Sequence, residues 1–170
     1  MAVGASAALA TNVAHAAAPR QQPVCLFTKP FNSLSFSELA DRVAELGFDG
    51  IEAPIRKGGH IEAGQVEDQL PRLVQALRER HLEITVMTTD INDPNDPTTV
   101  KVLQTAAGLG IRRYRMKYLS YDLNRSVVEQ LNEWRPRFRD LAALNQDIGI
   151  GGVYQNHAGG RLLGAALWSP

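Results

Sequence analysis

Val153-Tyr154-Gln155-Asn156-His157 brings a short apolar run to an end in three hydrogen-bonding side chains, as the last strand of a chain that alternates strand and helix from Pro23 onward. A parallel strand has this form when its carboxyl end faces a ligand, because in parallel α/β sheets ligands sit where the strands end. Successive strand residues point to opposite faces, so Gln155 and His157 are expected on one face and Asn156 on the other.

Gly149-Ile150 opens that fifth strand. Ahead of it lies the longest helix, with Val127, Leu131, Trp134, Phe138, Leu141 and Leu144 as one stripe and a kink predicted at Pro136. Ile111 to Leu119 reads as a fourth and most polar strand. The helix before it starts on Asp96-Pro97 as N-cap and first helical residue, faces Val100, Leu103 and Ala107 inward, and ends at Gly110. Leu82 to Thr89 is a third strand, rich in β-branched residues. A helix with Val66, Leu70, Leu73, Val74 and Leu77 on one face precedes it and carries Pro71 in its early turns. Phe48 to Pro54 is the second strand. Ser35-Phe36-Ser37-Glu38 is a capping box that starts the first helix, which Gly47 ends, and Val24 to Thr28 is the first strand.

The repeat of roughly 30 to 40 residues is that of a βα unit, and alternation of this kind implies parallel strands joined by right-handed crossovers. No Gly-x-Gly-x-x-Gly follows the first strand and no P-loop is present, which removes the support for a nucleotide-binding doubly wound sheet. The fold class is therefore α/β, a TIM-type barrel. A closed (β/α)8 barrel takes about 250 residues, and the 170 here supply five strands with four to five helices. The expectation is a partial barrel that does not close, spanning 21–170, with an exposed sheet edge through which copies could self-associate. Gly164 to Pro170 reads as the start of a further unit, so the chain is expected to be a fragment, a truncated gene product or one part of an assembly.

Residues 1–20 differ from the rest. Ala2 to Ala18 is alanine-rich and nearly uncharged, and Ala14-His15-Ala16 has the small-x-small form of a signal-peptidase site, although no charged front precedes it. Read as an export signal, it places the protein in the periplasm or outside the cell; read as an inert leader, it leaves it cytoplasmic. It is too short and too weakly apolar to span a bilayer, and no membrane partner is expected. Eighteen basic and eighteen acidic residues give a formal net charge of zero, which gives nucleic-acid binding no electrostatic support. Cys25 is the only cysteine, so an intramolecular disulfide and a cysteine metal cluster are excluded; it reads as a small buried hydrophobe, with a reactive thiol as the alternative.

Several strand-end residues could carry chemistry. Glu52 could bind a hydroxyl or act as an acid/base, or order its own loop by pairing with Arg56. His60, in the loop with Gly58-Gly59, could reach over the mouth and bind substrate, or be a solvated loop histidine. Thr88 and Thr89 could hydrogen-bond a polyol, while Asp90 is better read as starting a turn. Arg115 and Lys117 alternate along the fourth strand and should share a face. They make either a cationic site at a wet mouth or two snorkelling side chains beneath helices.

Three stretches resemble exported members of the xylose-isomerase-like barrels, the sugar phosphate isomerases/epimerases. They are Gly50-Ile51-Glu52-Ala53-Pro54-Ile55-Arg56-Lys57-Gly58-Gly59-His60, Leu82-Glu83-Ile84-Thr85-Val86-Met87-Thr88-Thr89-Asp90-Ile91 and Tyr154-Gln155-Asn156-His157-Ala158-Gly159, within a likeness running from about Val24 to Trp168. The resemblance implies an isomerase or epimerase that transfers protons next to a sugar carbonyl, with a sugar or sugar phosphate as partner. Glu52 and His157 would be catalytic, and His60, Arg115, Lys117, Gln155 and Asn156 would bind substrate. It also implies a divalent metal, Mn or Mg, in a complete family member. Gln155 resembles the occupant of a position where relatives carry a glutamate ligand, and a neutral amide is a poorer ligand for a hard cation. No metal ligands and no cofactor are therefore expected for this chain alone. A carboxylate that relatives place shortly afterwards has no counterpart near Arg161. The chain is expected to show little or no activity by itself, and the alternatives are a non-catalytic sugar-binding protein and a truncated, non-functional product.

Overall fold

The computed structural model describes residues 22–157 and 161–163. The expected leader at 1–20 and the expected start of a further unit at 164–170 lie outside them. Five strands form one sheet in sequential order, all parallel: β1 Cys25–Phe27, β2 Gly50–Ile55, β3 Glu83–Thr89, β4 Arg113–Arg115 and β5 Gly151–Val153. The helices between them are α1 Phe36–Glu45, α2 Val66–Arg78, α3 Pro97–Gly108 and α4 Val127–Ile148, with single 3-10 turns at Lys29–Phe31 and Ala63–Gln65. The sheet is open, with β1 and β5 at its edges. This is an α/β architecture of the partial TIM-barrel kind, as the strand–helix alternation predicts.

Local chemistry sets the helix starts. The Ser35 hydroxyl accepts from the Glu38 N–H at 3.4 Å while the Glu38 carboxylate accepts from the Ser35 N–H at 2.9 Å, so the capping box is complete. Asp96 caps α3 through the Thr98 N–H at 2.8 Å, with Pro97 at the first helical position, and Ser126 caps α4. Gly149 ends α4 in the left-handed region, at φ +78, where its N–H reaches back to the Asn145 carbonyl.

The helices cover one face of the sheet. Ile51, Ala53 and Ile55 of β2, Ile84 and Met87 of β3 and Tyr114 of β4 are buried there against Leu39 and Val43 of α1, Leu70, Leu73 and Leu77 of α2, Leu103 of α3 and Leu141 of α4. Each buried Leu, Ile, Val or Met among them contributes roughly 1.5–3 kcal/mol. The alternate residues face the other, concave side, which in a closed barrel is the interior. Those are Cys25 and Phe27, Glu52, Val86 and Thr88, Arg113 and Arg115, and Val153.

Three expectations need correction. β4 ends at Arg115 instead of running to Leu119, because the Lys117 N–H turns to the Ile91 carbonyl at 2.9 Å. α3 is rotated from the predicted face: Thr99, Val102, Leu103 and Ala106 are buried and Val100 is exposed. The Thr99 hydroxyl donates to the Asp93 carbonyl at 2.8 Å, and that bond lets a polar side chain sit inside. Cys25 is half-buried on the concave side, not within the helix-covered core.

Candidate functional site

A continuous polar network on the concave face runs from the middle of β2 to the carboxyl ends of β3 and β4 and the segment after β5. Glu52 lies opposite Phe27 of β1 and Val86 of β3. A register shift between Ile51 and Glu52 adjusts the β2–β3 pairing so that Pro54 lies beside Thr88, and Thr88 in turn pairs with Arg115 of β4. Three polar side chains from three neighbouring strands are thereby brought onto one patch.

Their contacts form a chain. The Thr88 hydroxyl donates to Glu52 Oε1, and Arg115 Nη2 approaches the same oxygen at 3.1 Å. Arg115 Nη1 donates to Gln155 Oε1, which also accepts from the Tyr118 hydroxyl at 2.6 Å. The Arg115 guanidinium lies over the Phe27 ring, 5.4 Å from its centroid. The Tyr118 ring meets His157 edge-on at 5.1 Å. The side chains of Arg115 and Glu52 are only 16% and 20% exposed, so their attraction is screened less than that of a surface pair.

The structure thus joins Glu52, Arg115 and Gln155 directly and sets His157 against the end of the chain through Tyr118. Glu52 pairs with Arg115, not with Arg56. Tyr118 and Phe27 join the network without any pattern in the sequence that marks them. Tyr118 falls inside the stretch read as regular strand, where alternation assigns it to the opposite face from Arg115; only the early end of β4 frees it to reach Gln155.

Other predicted residues stand elsewhere. The expected pairing of Arg115 with Lys117 as two cations on one strand face does not occur. Lys117 is exposed beyond the end of β4, and its charge acts on Asp96 at the start of α3. The Asp96 carboxyl is held below its ordinary range first by its bonds from the Thr98 hydroxyl and N–H, then by Lys117. Asn156 is exposed. His60 ties two loops of the same end together: its Nε2 lies 2.9 Å from the Phe31 carbonyl in the loop after β1. Asn32 reinforces the tie through the Gly58 carbonyl at 2.8 Å. A carbonyl only accepts, so Nε2 carries the proton and Nδ1 is the bare nitrogen, which is buried with no partner. Burial pushes the His60 imidazole below its ordinary value, against a smaller upward pull from the Phe31 carbonyl. Asp90 accepts from the Lys57 N–H at 3.3 Å and so links the loop after β2 to the end of β3.

The network does not fit a divalent metal. Both lone-pair directions of Gln155 Oε1 are taken by donors, one of them a cation. Among the described residues no group of three or more His, Cys, Asp or Glu side chains is placed to hold a metal ion.

An open parallel sheet with its polar cluster at the strand ends is half of a known architecture, and a family model decides which. The model described as the xylose isomerase-like TIM barrel matches residues 40–167. The chain belongs to that family. Two solved structures of the same barrel type resemble it. The probable 3-DHS dehydratase of petrobactin synthesis from Bacillus anthracis superposes with a TM-score of 0.61 at 19% identity, over 80% of this chain and 53% of that one. A D-psicose 3-epimerase crystallised in the presence of D-fructose superposes with a TM-score of 0.51 at 16% identity, over 77% of this chain and 51% of that one. At these identities the likeness is one of fold. The chain spans about half the length of each of these barrels. A search of curated proteins finds no match.

Proposed function

We propose that the rim around Glu52 and Arg115 is a sugar-binding site of the isomerase or epimerase kind. In this reading Glu52 and His157 are the acid/base groups next to a sugar carbonyl, and Arg115, Gln155 and Asn156 bind hydroxyls, with His60 and Lys117 on the surrounding loops. The observation that supports it most is the chain of contacts from Thr88 through Glu52, Arg115 and Gln155 to Tyr118. It gathers donors and acceptors from β2, from the ends of β3 and β4 and from the segment after β5 onto one rim, and a polyol is recognised by such alternating hydrogen-bond groups. Moving a proton on and off a carbon beside a carbonyl needs two groups of this kind within reach of the substrate. Glu52 and His157 flank the cluster from β2 and from the segment after β5.

A second reading is a non-catalytic sugar binder. It is favoured by the engagement of Gln155 with Arg115 and Tyr118 and by the pairing of Glu52 with Arg115, which leave both residues arranged for holding rather than for turnover. Titration calorimetry with D-fructose tests what the two readings share: the expected result is saturable binding weakened about tenfold or more in Glu52→Ala, the size of a lost charge-assisted hydrogen bond. Absence of binding overturns both. Exchange of the hydrogen beside the carbonyl for solvent deuterium then separates them. Exchange that His157→Ala abolishes supports the isomerase reading, whereas binding without exchange supports the binder.

A further inference from the structure

A guanidinium at a strand end is ordinarily an anion trap, because its fork of N–H donors matches a phosphate or carboxylate. Arg115 is placed as such a trap and is already occupied. One arm meets Glu52 Oε1 at 3.1 Å, the other donates to Gln155, and the plane rests over Phe27. An incoming phosphate would meet the Glu52 carboxylate beside the guanidinium, so the two fields oppose each other there. It would also have to displace bonds already formed.

Of the neighbouring cations, Lys117 is exposed beyond the end of β4 and its charge acts on Asp96. Arg113 shares the concave face but lies at the amino-terminal end of β4, beside Gly151. Arg56 and Lys57 line an adjacent pocket of about 260 Å3 together with Glu62, Asp90 and Asp96. Lys29 is exposed on the loop after β1. A hydroxyl group fits the rim better. Both described contacts of the Glu52 carboxylate fall on Oε1, so Oε2 can accept, and the Tyr118 and Thr88 oxygens can each accept a further hydrogen bond.

We propose that this site takes the uncharged form of its sugar and discriminates against the phosphorylated form, with Glu52 cancelling the charge of Arg115. The inference rests on the sugar reading above and narrows its substrate class. Calorimetry on the full chain would compare D-fructose, D-fructose 6-phosphate and inorganic phosphate. The expected result is that D-fructose binds about tenfold or more tighter than its 6-phosphate, a difference of the size one opposed charge produces at short range. Equal or tighter binding of the 6-phosphate overturns this proposal and leaves the sugar reading standing. If neither ketose binds, the sugar reading fails and this proposal with it. Glu52→Gln, which keeps the side-chain shape and removes the charge, tests the cancellation directly. It should raise affinity for inorganic phosphate about tenfold over the wild type, and Arg115→Met in the same background should abolish the gain. No gain in Glu52→Gln, in a variant that melts like the wild type, overturns the cancellation.

Discussion

Arg115 is the residue on which the rim depends, since it spans Glu52 on one side and Gln155 on the other. Arg115→Met leaves a partly buried carboxylate with the Thr88 hydroxyl as its described partner and removes the cap over Phe27. The expected loss is about 1–3 kcal/mol in urea denaturation, with Arg115→Lys restoring only part because one ammonium cannot bridge two acceptors. No change in Arg115→Met would show that the network does not hold the strand ends together. His60 gives a pH signature. Its folded value is depressed below the 6.5 of a free imidazole by burial. Its stabilising contribution is therefore complete above about pH 6.5 and is lost as pH falls from there through its lowered folded value. Melting temperature should fall over that interval in the wild type and fall less in His60→Gln, and identical profiles would contradict the buried, unpartnered Nδ1. At this scale the sequence is informative where a polar residue interrupts or follows a strand, as at Glu52 and Gln155. It was silent on partners, because Arg115 could be read with Lys117 as easily as with Glu52. Only the pairing of strands distinguishes them.

The elements were largely legible. The faces of α1 and α2 and the caps at Ser35 and Asp96 follow from spacing and side-chain chemistry that act over a single turn. α3 is rotated from the predicted face, since Thr99 counts as polar in a pattern although its hydroxyl donates to the Asp93 carbonyl in the loop ahead of the helix. The shift in the β2–β3 register was invisible, because a period of two presumes an unbroken ladder. β5 carries a prediction of its own. A β-carbon on Gly152 would come within 2.9 Å of the Tyr114 hydroxyl and 3.0 Å of the Asn145 amide, the pair that joins β4 to α4 by a 3.1 Å hydrogen bond. Gly152→Ala should destabilise the chain by about 1–3 kcal/mol, because the Tyr114–Asn145 pair must shift to admit the methyl group, read from the midpoint of a denaturant titration. An unchanged midpoint would mean that β5 is not seated against α4 as described.

For the molecule as a whole, the strand–helix rhythm carried the architecture: five parallel strands in sequential order, with helices on one face and a concave face opposite. What it could not carry was which polar residues meet, a property of register and of where β4 ends. The family match and the barrel-type neighbours place this sheet among xylose isomerase-like barrels, of which it spans about half the length in the solved cases. The central claim is that the strand ends form one sugar-recognising rim. The most direct test is a nuclear magnetic resonance titration of the isotopically labelled 170-residue chain with D-fructose, following the backbone amides. The account predicts shifts concentrated at Phe27, Glu52, Thr88, Arg115, Tyr118, Gln155 and His157, with the helix-covered face unmoved. Shifts confined to the helices or to the amino-terminal ends of the strands, or no shifts at saturating sugar, would contradict it.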